Sequence, residues 1–94
     1  MLPVAQVFLS VLPDGKSMLA SVYTFAEAGD EIPLHTHDHW HNCQVLAGGV
    51  RIYDGNGKEL FLKAGELAGL GAGKPHAIQA TQAGTLIINI NEPR

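Results

Sequence analysis

The sequence predicts an all-β domain, an antiparallel sandwich or barrel of about eight or nine short strands. Three observations carry that prediction. Short apolar runs recur between turn residues, and no window of about 11 residues shows a clean helical period. Glycine supplies 11 of the 94 residues, about 12% against an average of roughly 7%. Hydrophobic residues make up 46% and charged residues 16%, too apolar for a disordered chain and too poor in Glu, Lys and Arg for a helical bundle. Two cores would each be too small to bury enough surface, so residues 1–94 read as one domain.

The elements follow in order. Residues 4–10 read as a strand, Pro13-Asp14-Gly15-Lys16 as a turn, and residues 18–25, rich in Val, Tyr, Thr and Phe, as the next strand. Residues 26–33, with Gly29 and Pro33, read as a loop. Residues 35–37 and 41–47 read as two strands around a bend at Asp38-His39-Trp40. Gly48-Gly49 turns the chain into residues 50–53. Asp54-Gly55-Asn56-Gly57 is the strongest hairpin signal, because Asp-Gly and Asn-Gly supply the positive φ of tight hairpins. Residues 59–63 return, 67–70 form a weak strand, and residues 71–75 a loop. Residues 76–80 and 85–91 close the set, the latter placing Leu86, Ile88 and Ile90 on one face.

Charge and composition limit the partners. Six basic against nine acidic residues give a net charge of −3. Lys16, Arg51, Lys58, Lys63, Lys74 and Arg94 are scattered, with no stripe to neutralise phosphates, so nucleic acid is not expected. The apolar stretch 4–12 has no Lys or Arg before it and runs into Pro13-Asp14-Gly15, unlike a secretion signal. No stretch reaches the length of a membrane span. Cys43 is the one cysteine and has no internal disulfide partner. A cytoplasmic protein is expected, and the low charged fraction points to burial against a second copy, a homodimer.

Chemistry concentrates in the histidines. Four of five lie within seven residues, at His35, His37, His39 and His41, and His76 follows Pro75. Residues i and i+2 on a strand share a face, and neutral imidazole is the commonest side-chain metal ligand. The same cluster also fits a solvated polar loop or an incidental metal site.

The surroundings add to this. GDEIPLHTHDHWHNCQVLAG, from Gly29 to Gly48, resembles the first cupin motif, G-x5-H-x-H-x3,4-E-x6-G, at every spacing, with His41 where Glu is usual. Residues 65–80 resemble the second motif, G-x5-P-x-G-x2-H-x3-N: Gly65, Gly73 and His76 match, while Gly71 replaces Pro and Ala80 replaces Asn. Sixteen residues, 49–64, separate the two motifs. The resemblance implies a single-domain cupin barrel, a double-stranded β-helix or jelly roll, with one divalent transition metal (Fe, Mn, Ni, Cu or Zn) on His35, His37, His41 and His76. His39 has no counterpart ligand and is expected at the barrel mouth or in solvent. An all-imidazole shell leaves the ion's +2 charge uncompensated where three His and a Glu would leave +1, which favours anionic bidentate oxygen ligands.

Other residues are weaker candidates. Cys43, Trp40, Tyr53 and Tyr23 are possible pocket residues, each also readable as packing. The run 69–75 is not a phosphate loop, since Ala68 and Pro75 stand where Gly and Ser or Thr are needed. No nucleophile elbow is present. The expected function is a metal-dependent enzyme acting on a small chelating oxygen compound, with dioxygenase-like oxidation favoured over isomerase or lyase chemistry. The alternatives are a non-catalytic metal- or ligand-binding sensor or storage module, and a barrel in which metal serves only structure.

Overall fold

The computed structural model describes residues 1–91, which form nine strands: β1 Val4–Val11, β2 Ser17–Phe25, β3 Glu31–His35, β4 His41–Ala47, β5 Gly49–Tyr53, β6 Glu59–Lys63, β7 Leu67–Leu70, β8 His76–Ala80 and β9 Thr85–Asn91. They build two antiparallel sheets, one ordered β1-β2-β9-β4-β7 and the other β3-β8-β5-β6. No helix long and apolar enough to cross a membrane is present among the described residues. The sheets face each other across Phe25, Val45, Val50, Ile78 and Ile87, all fully buried. Each such side chain contributes roughly 1.5–3 kcal/mol by leaving water.

Turn chemistry sets the connections. Between β5 and β6 the Asp54 carboxylate accepts from the backbone N–H groups of Asn56 (2.8 Å) and Lys58 (3.2 Å), and Gly55 and Gly57 adopt φ of 83° and 91°. Gly48, where the chain passes from one sheet to the other, combines φ of +75° with close approach. A Cβ there would lie 2.3 Å from Thr85 Oγ1.

Strands β4, β6, β7, β8 and β9 begin and end where the sequence places them. The third strand differs. It occupies Glu31–His35, where a loop is expected, and His37 falls beyond it. Pro33 suggests a loop, but β3 is an edge strand whose register shifts between Ile32 and His35, so no ladder bond requires the missing proline N–H. The last strand turns the other way from its apolar residues: Thr85, Ile87 and Asn89 are buried, and Leu86, Ile88 and Ile90 lie half-buried on the outer face. The first strand, at the edge of the larger sheet and paired with β2, is exposed along its whole length, including Val7 at 63% and Leu9 at 65%.

Candidate metal centre

Pairing and loop bonds bring the two histidine segments together. His35 ends β3 and His76 begins β8, directly opposite one another in the ladder. Gly73 donates its N–H to the His37 carbonyl (2.7 Å), which ties the loop before β8 to the bend after β3. His41 opens β4, between Leu70 of β7 and Asn91 of β9.

The imidazoles are oriented from behind. His35 Nδ1–H donates to the Pro33 carbonyl (2.6 Å) and His76 Nδ1–H to the Lys74 carbonyl (3.1 Å). Both bonds fix the tautomer whose Nε2 carries a lone pair, as metal-binding histidines require. His35 and His37 meet Nε2 to Nε2 at 2.8 Å, and ring nitrogens of His35, His37 and His76 all lie within 4.8 Å of one another. Two nitrogens bound at right angles to one cation, each about 2.1 Å from it, are about 3.0 Å apart. The spacing therefore suits a transition metal. His41 joins from the side, its ring centroid 4.7 Å from that of His37 and 5.4 Å from that of His76. The Nε2 atoms of His41 and His76 are buried and have no hydrogen-bond partner within the protein, an expensive arrangement that a bound cation resolves.

The site also disfavours the charged form of three of these rings, His37, His41 and His76. Burial, then the neighbouring imidazoles, lower His37 and His41 to about 4. Burial lowers His76 as well, against its hydrogen bond to the Lys74 carbonyl. Neutral imidazoles leave their lone pairs free at neutral pH.

A chamber of about 120 Å³ adjoins the cluster. His35, His37, His39 and His41 form one side, with Ser21, Tyr23, Asn89 and Asn91 opposite and Ile32 between. A larger cleft of about 360 Å³ lies beside His76, with Ile52, Leu60, Leu70 and Lys74 among its walls.

Of the expected pocket residues, Tyr23 lines the chamber. Tyr53 alternates outward from buried Ile52, donates its hydroxyl to the Glu31 carboxylate beneath the Arg51 guanidinium, and borders the larger cleft. Trp40 is 41% exposed and covers Gly69. Cys43 is part of the apolar core, where burial pushes its thiol up to about 12. His39 lies at the chamber rather than in solvent: its side chain is 15% exposed, its ring 5.1 Å from His37, and its Nδ1–H donates to Asp38 (2.9 Å). Sequence reasoning missed Ser21, Asn89 and Asn91. The available signal was a pair of asparagines two residues apart among isoleucines in β9.

Known structures share this fold. A crystal structure of a conserved protein with a double-stranded β-helix domain from Klebsiella pneumoniae is similar at a TM-score of 0.78 and 24% identity, over 98% of this chain and 77% of that one. KdgF from a Halomonas species gives 0.76 and 22%, over 96% and 79%. An oxalate decarboxylase variant from Bacillus subtilis gives 0.77 and 20%, over 96% of this chain and 25% of that one. At these identities the likeness is one of fold. No functionally curated protein matches the sequence. A profile of the cupin domain matches residues 21–89, nearly three-quarters of the chain and all the elements that build the histidine centre, and the chain belongs to the cupin family.

Proposed function

We propose that this cupin is a metal-dependent enzyme acting on a small chelating oxygen compound, with His35, His37, His41 and His76 holding one divalent transition metal. The observation that carries the reading is the convergence of these imidazoles, His35 and His76 oriented by backbone carbonyls and the buried Nε2 atoms of His41 and His76 left without protein partners. Such a donor set suits Fe, Ni, Cu or Zn, and Mn is also used among cupins. When bound, the metal supplies a Lewis acid for a chelating oxygen ligand and, if redox-active, a partner for dioxygen.

The chain's own residues orient and enclose. Backbone carbonyls fix the His35 and His76 rings, Asn91 hydrogen-bonds His41, and Ser21, Tyr23 and Asn89 offer neutral polar groups to a ligand. No Asp or Glu is among the described residues lining the chamber. That supports oxidation at the metal over proton abstraction by a side-chain carboxylate. The structure named oxalate decarboxylase supports the reading that such a barrel hosts an enzyme.

Elemental analysis of protein purified without a His tag tests the metal. About one Fe, Cu, Mn or Ni per chain, lost on His76→Ala with the circular dichroism of the barrel unchanged, is the expected result. A His76→Ala protein with undiminished metal overturns the ligand set, and zinc at full occupancy overturns the oxidative reading. The same preparation tests association. The exposed apolar β1 supports a homodimer through this edge, so sedimentation is expected to give a dimer that Leu9→Lys dissociates. A monomeric parent protein sinks that reading. The single free cysteine supports a reducing, cytoplasmic setting, and fractionation of the native cell with recovery outside the cytoplasm would refute it.

A further inference from the structure

The chamber contains one polar atom that the fold leaves without a partner. Asn89 lies on β9 opposite Ser21 of β2 and Cys43 of β4, is 6% exposed, and lines the chamber. Its Oδ1 is buried and accepts no hydrogen bond from the protein. A buried acceptor in that state destabilises the fold, whereas an apolar side chain of similar shape would not. Ile87, two residues earlier on the same face, is fully buried in the core and shows that β9 supports an apolar residue there.

We propose that Asn89 recognises a hydroxyl group of the small ligand held at the histidine centre, its Oδ1 accepting that hydroxyl's hydrogen. The inference rests on the metal-centre reading above. An amide oxygen only accepts, so its partner is a donor. An ammonium is disfavoured because none of the described residues lining the chamber is a carboxylate that could neutralise it, and the loaded centre is itself cationic. The small chamber, about 120 Å³, favours a compact donor over a bulky one. The class that meets all three conditions is a short dihydroxy acid. Its carboxylate and adjacent hydroxyl chelate, and its second hydroxyl reaches Asn89.

Glycerate and lactate make the test, because they differ only in the terminal hydroxyl. Each is titrated by calorimetry into nickel(II)-loaded protein whose nickel content is measured alongside. The expected result is glycerate binding at least about tenfold tighter than lactate, since a site built around a hydroxyl rejects the analogue lacking it. Asn89→Leu is expected to erase the difference, keep the nickel, and melt no lower than the parent in metal-free form. Asn89→Ala provides the same comparison should the leucine variant not fold. Equal binding of the two acids, no binding of either, or a preference that survives in a nickel-replete Asn89 variant overturns the assignment while the metal centre stands. A parent protein that takes up no nickel overturns both.

Discussion

Three strands each run through two unlike regions of the barrel interior. On β4 Val45 is fully buried in apolar packing, and His41, four residues earlier on the same face, is at the histidine centre. On β8 the pair is Ile78 and His76, and on β9 it is Ile87 and Asn89. Backbone geometry is the same at both ends, so a step of two or four residues along one face takes a side chain from apolar packing to the polar end. The apolar end is satisfied within the protein. The polar end is not: the Nε2 atoms of His41 and His76 and the Oδ1 of Asn89 lack protein partners, and all three belong to it. A region built for stability and one built for a ligand should therefore fail in different measurements.

The largest effect is expected at the apolar end. Phe25 is fully buried among residues of both sheets, and Phe25→Ala should cost about 3–5 kcal/mol through lost transfer energy and the cavity left behind. Denaturant titration of the metal-free protein reads this as a lower midpoint, while metal bound per folded molecule stays unchanged. A Phe25→Ala protein as stable as its parent, or one that loses metal while still folded, would collapse the distinction between the two ends.

The polar end should instead be sensitive to acid. His37 and His41 have folded values of about 4 against an ordinary 6.5, chiefly because of burial. The unfolded chain takes up protons first as pH falls, so stability is fully present above about pH 6.5 and is lost between there and about pH 4. For buried His41, about 2.5 pH units at about 1.4 kcal/mol each is about 3–4 kcal/mol. Stability of the metal-free protein measured across this range should slope, and His41→Asn should flatten the slope while Phe25→Ala only lowers it. A pH-independent parent protein would show that these rings are protonated in the folded state.

The same division explains how much was legible in the sequence. At the apolar end, apolar runs between turn residues mark where strands start and stop, and the bounds of β4, β6 and β8 could be read to the residue, although in β6 only Leu62 is buried. At the polar end the alternation points the wrong way: Leu86, Ile88 and Ile90 suggest the inner face of β9, yet Thr85, Ile87, Asn89 and Asn91 take it. Polar residues occupy an interior there, which hydropathy alone gives no reason for; on the proposed reading a ligand, not the chain, is their partner. The histidines were legible because spacing and residue type together are specific. Their approach was not: Pro33 hides β3 on a sheet edge, and the alignment of His35 with His76 comes from strand pairing between segments about 40 residues apart.

The smallest effect sharpens the boundary within the polar end itself. His39 shares the chamber with the proposed ligands, yet its Nδ1–H is turned to Asp38, and neither it nor His41 belongs to the set of three histidines whose nitrogens converge. Its ring also lies farther from His41, at 5.9 Å between centroids, than that of His37 does at 4.7 Å. Groups that orient a metal ligand typically cost 10–100-fold in affinity when removed. His39→Ala should cost less than about tenfold, read by competition with a chromophoric chelator, while His76→Ala abolishes binding in the same assay. A larger loss would move His39 into the coordination shell in place of His41, and His41→Ala would then be the variant that keeps its metal.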